Sequence, residues 1–154
     1  MLKKRKINYL LVNKLKEKKL HISFAESCTG GLLAKLITDV PGASEILAES
    51  LITYSTESKM KYLGIEKITL DKYDIVSKEI TKEMVLGLSQ LTNADICVSV
   101  SGYAGPSGDV GKICFSIKYQ NIIKDFEKKY RGNRSRIRSA VSKDILKEVY
   151  LIIS

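Results

Sequence analysis

The chain has 154 residues, of which 44% are hydrophobic and 28% charged, a balance typical of one soluble globular domain. This composition excludes a disordered tail, a collagen-like repeat and a bundle of membrane spans. Lys and Arg number 26 against 17 Asp and Glu, so the formal charge of +9 favours anionic partners such as nucleotides.

The first third of the chain predicts a helix, a strand and a second helix. Apolar residues at helical spacing predict an amphipathic helix over 4–18. A short strand over 20–25 leads into a turn of small residues at 26–31. Helical periodicity resumes at Leu32 and ends near 40–42. A strand, a tight turn and a helix in this order form the first half of an α/β unit.

The rest of the chain alternates strands with helices and predicts a three-layer α/β/α sandwich. Two strands follow each other directly near the C-terminus, so we expect a mixed, mostly parallel sheet. No internal repeat or linker interrupts the pattern, and we expect a single domain over 1–154. The predicted elements are a strand over 49–54, a helix over 56–63, a helix capped by Ser77, strands over 94–101, 113–119 and 122–130, and a last helix over 134–153.

Histidine and cysteine are scarce, which limits the available chemistry. His21 is the only histidine, so a His-rich metal site and catalysis by two imidazoles are excluded. Cys28, Cys97 and Cys114 are odd in number and form no CxxC pair, a pattern typical of reduced thiols. The basic N-terminus is not followed by the apolar region of a signal peptide. We therefore expect a cytoplasmic protein with no metal site.

The turn at 26–31 is a candidate catalytic loop. Small residues let the backbone approach a ligand, and the N–H groups that open the next helix can receive a developing oxyanion. Ser27 stands at this turn and is a candidate nucleophile. Alternatively, Ser27 or Thr29 caps the helix and the glycines ease packing. Cys28 is another candidate nucleophile, although no base is evident for it.

A second loop of small residues, 101–109, follows a strand that is predicted to be central. In open α/β sheets, ligands bind at the carboxyl ends of strands where neighbouring connections diverge. The two loops are therefore candidates for the walls of one pocket. Alternatively, 101–109 is a flexible connection that binds nothing.

Lys59 lies one turn into the helix that follows the second predicted strand. An amine held beside Ser27 and away from water would lose proton affinity and could act as a base toward the hydroxyl. Serine–lysine pairs replace serine–histidine in some acyl-transfer enzymes. Alternatively, Lys59 is an ordinary surface lysine.

Arginines cluster at the start of the last predicted helix, at positions 131, 134, 136 and 138. Guanidinium groups suit phosphate, although a solvated basic face is the alternative. A nucleic-acid groove would need aromatic residues interleaved with the charge, and Tyr130 alone lies close by. We therefore expect a nucleotide partner and regard nucleic acid as unlikely.

Several short motifs occur in a fixed order along nearly the whole chain. They are AESCTGGLLA over 25–34, TDVPGAS over 38–44, TYS over 53–55 with Lys59, SGYAGP over 101–106, and GNR over 132–134 followed by Arg138. These segments resemble one family, the C-terminal domain of the competence/damage-inducible protein CinA. The domain is also found as stand-alone nicotinamide-nucleotide amidases of the PncC type.

The resemblance implies an α/β/α sandwich and a hydrolase that uses no metal or cofactor. Its implied reaction removes ammonia from the carboxamide of nicotinamide mononucleotide and gives nicotinic acid mononucleotide. It further implies a homo-oligomer, with Ser27 as the nucleophile, Lys59 as its base and Tyr54 orienting or relaying the proton. The other implied site residues are Cys28, Thr29, Gly30 and Gly31 for the oxyanion, Ser101, Gly102, Ala104 and Gly105 for the pocket wall, and Arg134 and Arg138 for the phosphate.

The chain departs from the family pattern near the expected substrate. Tyr103 replaces the usual isoleucine, and the loop after Pro106 is shortened to 107–111. Asn133 replaces an aspartate, and residues 49–50 replace a glycine pair. The catalytic residues are intact, whereas these changes favour the alternative of a degenerate nucleotide-binding or regulatory module.

Overall fold

The structure is a computed structural model that describes residues 6–154. Within that range the chain forms six α-helices and five strands, with a short 3-10 turn at Ala43–Glu45. The helices are α1 (Ile7–Lys18), α2 (Leu32–Thr38), α3 (Thr56–Leu63), α4 (Lys67–Lys72), α5 (Lys78–Thr92) and α6 (Arg134–Ile153). The strands are β1 (Ile22–Glu26), β2 (Leu47–Ile52), β3 (Ile96–Gly102), β4 (Lys112–Tyr119) and β5 (Ile122–Lys129).

The strands form one sheet in the order β2-β1-β3-β4-β5. β1 pairs in parallel with β2 and β3, whereas β3–β4 and β4–β5 are antiparallel. The α/β class and the mixed, mostly parallel sheet are confirmed, since β1, β2, β3 and β5 run in one direction and β4 runs against them. The two antiparallel pairs occur where short connections over 103–111 and 120–121 join the last three strands, since parallel neighbours need a long crossover.

Helices cover both faces of the sheet. α1, α2 and α6 pack on one face, and α5 packs on the other with α3 and α4 outside it. Successive strand residues serve opposite cores: Phe24 joins the first and Ala25 the second. β1 is buried along its whole length and β3 is buried up to Gly102, so the centre of the sheet provides a rigid base for the loops that follow it.

Helix bounds agree with the sequence prediction where a local capping residue marks the start of the helix. α3 and α6 span the predicted residues, and the Ser77 hydroxyl caps α5 by accepting the Ile80 N–H at 3.3 Å. Asn133 caps α6 through its side-chain oxygen, so this replacement of aspartate preserves the cap. α4 has no counterpart in the sequence prediction because it is six residues long and buries no residue. Residues 4–5 of the predicted first helix lie outside the described range.

The parallel pairing places three loops at one edge of the sheet. β1, β2 and β3 run in the same direction, so their carboxyl ends meet there. Residues 27–31, 53–55 and 103–111 follow these three ends. None of the helices in residues 6–154 has the length and apolar character that crossing a bilayer requires.

Candidate active site

A cavity of about 550 Å³ opens at the carboxyl ends of β1, β2 and β3. Ser27 and Cys28 line it from the first loop, and residues 101–107 line it from the second. Residues 54–56 and Lys59, residues 75–76 before α5, and the first residue of α6 form the rest of the wall. The structure thus brings the two small-residue loops together around one cavity.

The Ser27 hydroxyl and the Lys59 amine meet at this cavity. Lys59 Nζ lies 3.1 Å from Ser27 Oγ, and the two residues are 1% and 8% exposed. Two backbone carbonyls also hold the amine: that of Thr53 at 2.6 Å and that of Tyr54 at 3.1 Å. The alternative of a surface lysine is therefore wrong.

The local structure of α3 directs Lys59 to this position. Ser55 caps the helix by accepting the Ser58 N–H at 3.1 Å. Helical side chains lean toward the N-terminus of their helix, so a lysine one turn inside reaches back over the residues that precede the helix. The amine consequently lies against the carbonyls at 53 and 54.

Burial lowers the pKa of Lys59 from 10.5 to about 8, because the charged form loses hydration. A protonated amine has three N–H donors, which match the two carbonyls and Ser27 Oγ. A neutral amine has two N–H donors and one lone pair. With both donors on the carbonyls, the lone pair is left for the Ser27 hydroxyl, which is the arrangement a general base needs.

Glu26 organises the serine loop, a role that sequence reasoning missed. Its carboxylate is fully buried and accepts hydrogen bonds from the Thr29 hydroxyl at 2.6 Å and from the Leu33 and Ala34 N–H groups at 2.9 and 3.1 Å. The carboxylate thus caps α2 in place of the predicted Ser27 or Thr29, and Ser27 is left to face Lys59. The signal available in the sequence was an acidic residue just before a helix, where a negative charge is favourable.

The backbone of Glu26 links the two halves of the Ser27–Lys59 pair. Its carbonyl accepts the Thr53 N–H at 2.8 Å, and the Thr53 carbonyl in turn accepts from Lys59. One residue therefore positions the serine turn through its side chain and the lysine through its main chain.

The predicted oxyanion residues separate into two groups. Cys28 lines the cavity, whereas Thr29, Gly30 and Gly31 do not. The Gly30 N–H is used within the turn, since it donates to the Ser27 carbonyl at 3.0 Å. The prediction that the N–H groups from Cys28 to Gly31 hold the oxyanion is thus corrected for Thr29, Gly30 and Gly31, because the turn leads away from the cavity and the Thr29 hydroxyl meets the Glu26 carboxylate.

Cys28 is not suited to be the nucleophile. Burial raises the pKa of its thiol to about 12, so the reactive thiolate is absent near neutral pH. Its sulfur packs against the end of β3, where a Cβ on Gly102 would lie 3.0 Å from Sγ and 2.1 Å from Ile113 Cδ1. A glycine at 102 allows the two loops to approach each other.

The two arginines expected to bind phosphate lie in different places. Arg134 lines the cavity and donates to the Gly105 carbonyl and to the Tyr54 hydroxyl, the latter at 2.9 Å. Arg138 does not line it, and donates instead to the carbonyls of Cys28 and Thr29, each at 2.9 Å. The prediction for Arg138 is corrected: its guanidinium braces the serine loop from behind.

Tyr54 contacts Lys59 through its backbone and not through its phenol. The side chain is 58% exposed, and its hydroxyl accepts from Arg134. The structure therefore does not bring the phenol to the Ser27–Lys59 pair, as a proton relay would need.

In the second loop, Ser101, Gly102, Ala104 and Gly105 line the cavity as predicted, and the Ser101 hydroxyl donates to the Ile75 carbonyl at 2.9 Å.

The sequence matches one family model, the CinA C-terminal domain, over residues 4–152. A CinA-like protein of Fusobacterium nucleatum is 42% identical over 145 residues, which cover 91% of this chain and 35% of that protein. The chain spans about a third of the length of the curated relatives that it matches.

Solved structures of similar length share the fold. The competence/damage inducible protein CihA of Agrobacterium tumefaciens matches with a TM-score of 0.92 and 29% identity, over 100% of this chain and 99% of that one. A competence or damage-inducible protein of Enterobacter asburiae matches with a TM-score of 0.92 and 28% identity, over 97% and 99%. Sequence and fold agree along nearly the whole length, and the chain belongs to the CinA C-terminal domain family.

Proposed function

We propose that this domain is a serine amidohydrolase that converts nicotinamide mononucleotide to nicotinic acid mononucleotide and ammonia. The observation that carries the proposal is the buried amine of Lys59, 3.1 Å from Ser27 Oγ at the wall of a cavity. A lysine without a carboxylate partner is seldom buried unless its lowered proton affinity is used.

In the first half of the reaction, the neutral Lys59 amine takes the Ser27 proton as Oγ attacks the carboxamide carbon. The carbonyl oxygen becomes an oxyanion, and we assign the backbone N–H of Cys28 as one of its donors. The Lys59 ammonium then gives its proton to the carboxamide nitrogen. The C–N bond breaks, ammonia leaves, and an acyl ester remains on Ser27.

In the second half, Lys59 takes a proton from a water molecule that attacks the ester carbon. The resulting tetrahedral species collapses, the C–O bond to Ser27 breaks, and Oγ regains its proton from Lys59. Nicotinic acid mononucleotide leaves, and the lysine is again neutral. The Thr53 and Tyr54 carbonyls accept from Nζ in both protonation states, so the amine keeps its position throughout the cycle.

The size and charge of the cavity support a mononucleotide as substrate. Its volume of about 550 Å³ lies in the range of small-molecule sites. Two cationic side chains line the cavity within residues 6–154. Lys59 is buried, and Arg134 is exposed at the rim. We assign the substrate phosphate to Arg134, since a planar guanidinium suits phosphate oxygens.

The test is release of ammonia from nicotinamide mononucleotide by the purified protein. We expect turnover by the wild type and its loss in Ser27→Ala and Lys59→Ala. Lys61→Ala is the matched control, since Lys61 is an exposed lysine on the same helix, and it should keep wild-type turnover. Wild-type turnover no faster than that of Ser27→Ala would defeat the proposal.

A second candidate function is nucleotide binding without turnover, favoured by the shortened loop at 107–111. It predicts that nicotinamide mononucleotide raises the Tm of the wild type while no ammonia forms. Assembly into a homo-oligomer stays a prediction from the family resemblance, to be measured by light scattering of the purified protein.

A further inference from the structure

Tyr103 places an aromatic side chain in the second loop of the cavity. Its hydroxyl donates to Asp74 Oδ1 at 2.6 Å, and the same oxygen accepts the Val76 N–H at 2.8 Å. The hydrogen bond raises the pKa of Tyr103 to about 12 and lowers the pKa of Asp74. The pair therefore remains a neutral phenol and a carboxylate at physiological pH.

The loop over 103–111 also holds the backbone and the ring of Tyr103. The Tyr103 N–H donates to the Lys112 carbonyl at 3.0 Å, and its own carbonyl accepts the Gly111 N–H at 2.7 Å. Gly108 packs directly on the ring: a Cβ there would lie 2.5 Å from Cδ1 and 2.8 Å from Cε1 of Tyr103. The ring is thus held at its hydroxyl, along its side and through its main chain, so little rotamer entropy remains to be lost when a ligand binds.

We propose that Tyr103, tethered by Asp74, is a specificity-determining residue that receives the planar aromatic ring of the substrate. The inference rests on the proposed function, which supplies a substrate with a pyridinium ring at one end and a phosphate at the other. A neutral phenol offers such a cationic ring both stacking and cation–π attraction. Arg134, whose guanidinium donates to the Gly105 carbonyl and to the Tyr54 hydroxyl at the same cavity, would hold the phosphate, so the ring and the phosphate would have different side chains as partners.

The experiment separates the ring from the phosphate by using two probes. Nicotinamide riboside carries the ring without the phosphate, and ribose 5-phosphate carries the phosphate without the ring. Binding is measured by titration calorimetry in a Ser27→Ala background, which prevents turnover. We expect Tyr103→Ile to weaken nicotinamide riboside about tenfold, while ribose 5-phosphate stays within about twofold.

Two further variants test the tether and the specificity of the effect. Tyr103→Phe keeps the ring and loses the hydrogen bond to Asp74, so we expect a smaller loss, about threefold, for nicotinamide riboside alone. Tyr62→Ile is the matched control, since Tyr62 is exposed and lies outside the cavity, and it should bind both probes as its parent does.

Three results would overturn the inference: equal loss of both probes in Tyr103→Ile, no loss of either, or no saturable binding of nicotinamide riboside to the parent. A matching kinetic readout is a raised KM for nicotinamide mononucleotide with kcat within about twofold. Selective loss of the ring probe without ammonia release by the wild type would reject the amidase and keep the ring site. Ammonia release by the wild type with no selective loss of the ring probe would keep the amidase and reject the ring site.

Discussion

The buried amine of Lys59 makes a prediction about stability that does not depend on any substrate. Its pKa is 10.5 in an unfolded chain and about 8 in the fold, so the unfolded state binds more protons between these values. Stability therefore rises with pH across this window. Below pH 8 the folded state carries the full penalty of a buried charge, about 3 kcal/mol.

The perturbation is Lys59→Met, which keeps an unbranched side chain one heavy atom shorter and removes the titration. Between pH 7 and pH 9.5 the two pKa values predict that the wild type gains about 2 kcal/mol relative to the variant. Urea unfolding at both pH values, with Lys61→Met as the exposed control, measures this difference. The reasoning is refuted if the stability difference between wild type and Lys59→Met does not change with pH, or changes in the opposite direction.

Three further predictions concern activity and packing. The kcat/KM of ammonia release should rise about tenfold per pH unit below the Lys59 pKa of about 8 and level off above it, and a flat profile would exclude the lysine as base. Gly87→Ala should lower the free energy of unfolding by about 2 kcal/mol, since its Cβ would lie 1.9 Å from the Leu63 carbonyl oxygen and push α3 away from α5; an unchanged urea midpoint would contradict this. Arg138→Ala should lower kcat about tenfold with KM nearly constant, because it frees the serine loop and leaves the phosphate contact in place; a rise in KM alone would instead favour a phosphate role.

Local signals explain why parts of the fold were predictable. Ser77 and Asn133 cap their helices through hydrogen bonds that span three residues, so the starts of α5 and α6 can be read from a short window. β2 spans Leu47–Ile52, two residues earlier than predicted, because its bounds depend on pairing with β1 and not on a local signal. The balance of parallel and antiparallel pairs likewise depends on which strands become neighbours.

Some features of the candidate site were likewise predictable from the sequence, and others were not. The motif around Ser27 and its resemblance to a known family were sufficient to nominate both Ser27 and Lys59. The distance between them was not predictable, since 32 positions separate them and they meet only because β1 and β2 lie side by side in parallel. Arg134 and Arg138 belong to one basic cluster, yet one faces the cavity and the other supports the loop behind it.

The residue types, the helix caps and the family could be recognised from the amino-acid sequence, because each of these depends on neighbours along the chain. The lowered pKa of Lys59, the capping role of Glu26 and the hydrogen bond from Tyr103 to Asp74 appear only in the folded protein. Lowered pKa values and buried hydrogen bonds depend on solvent exclusion and on short distances between remote segments, and both arise only when the sheet and its covering helices have assembled.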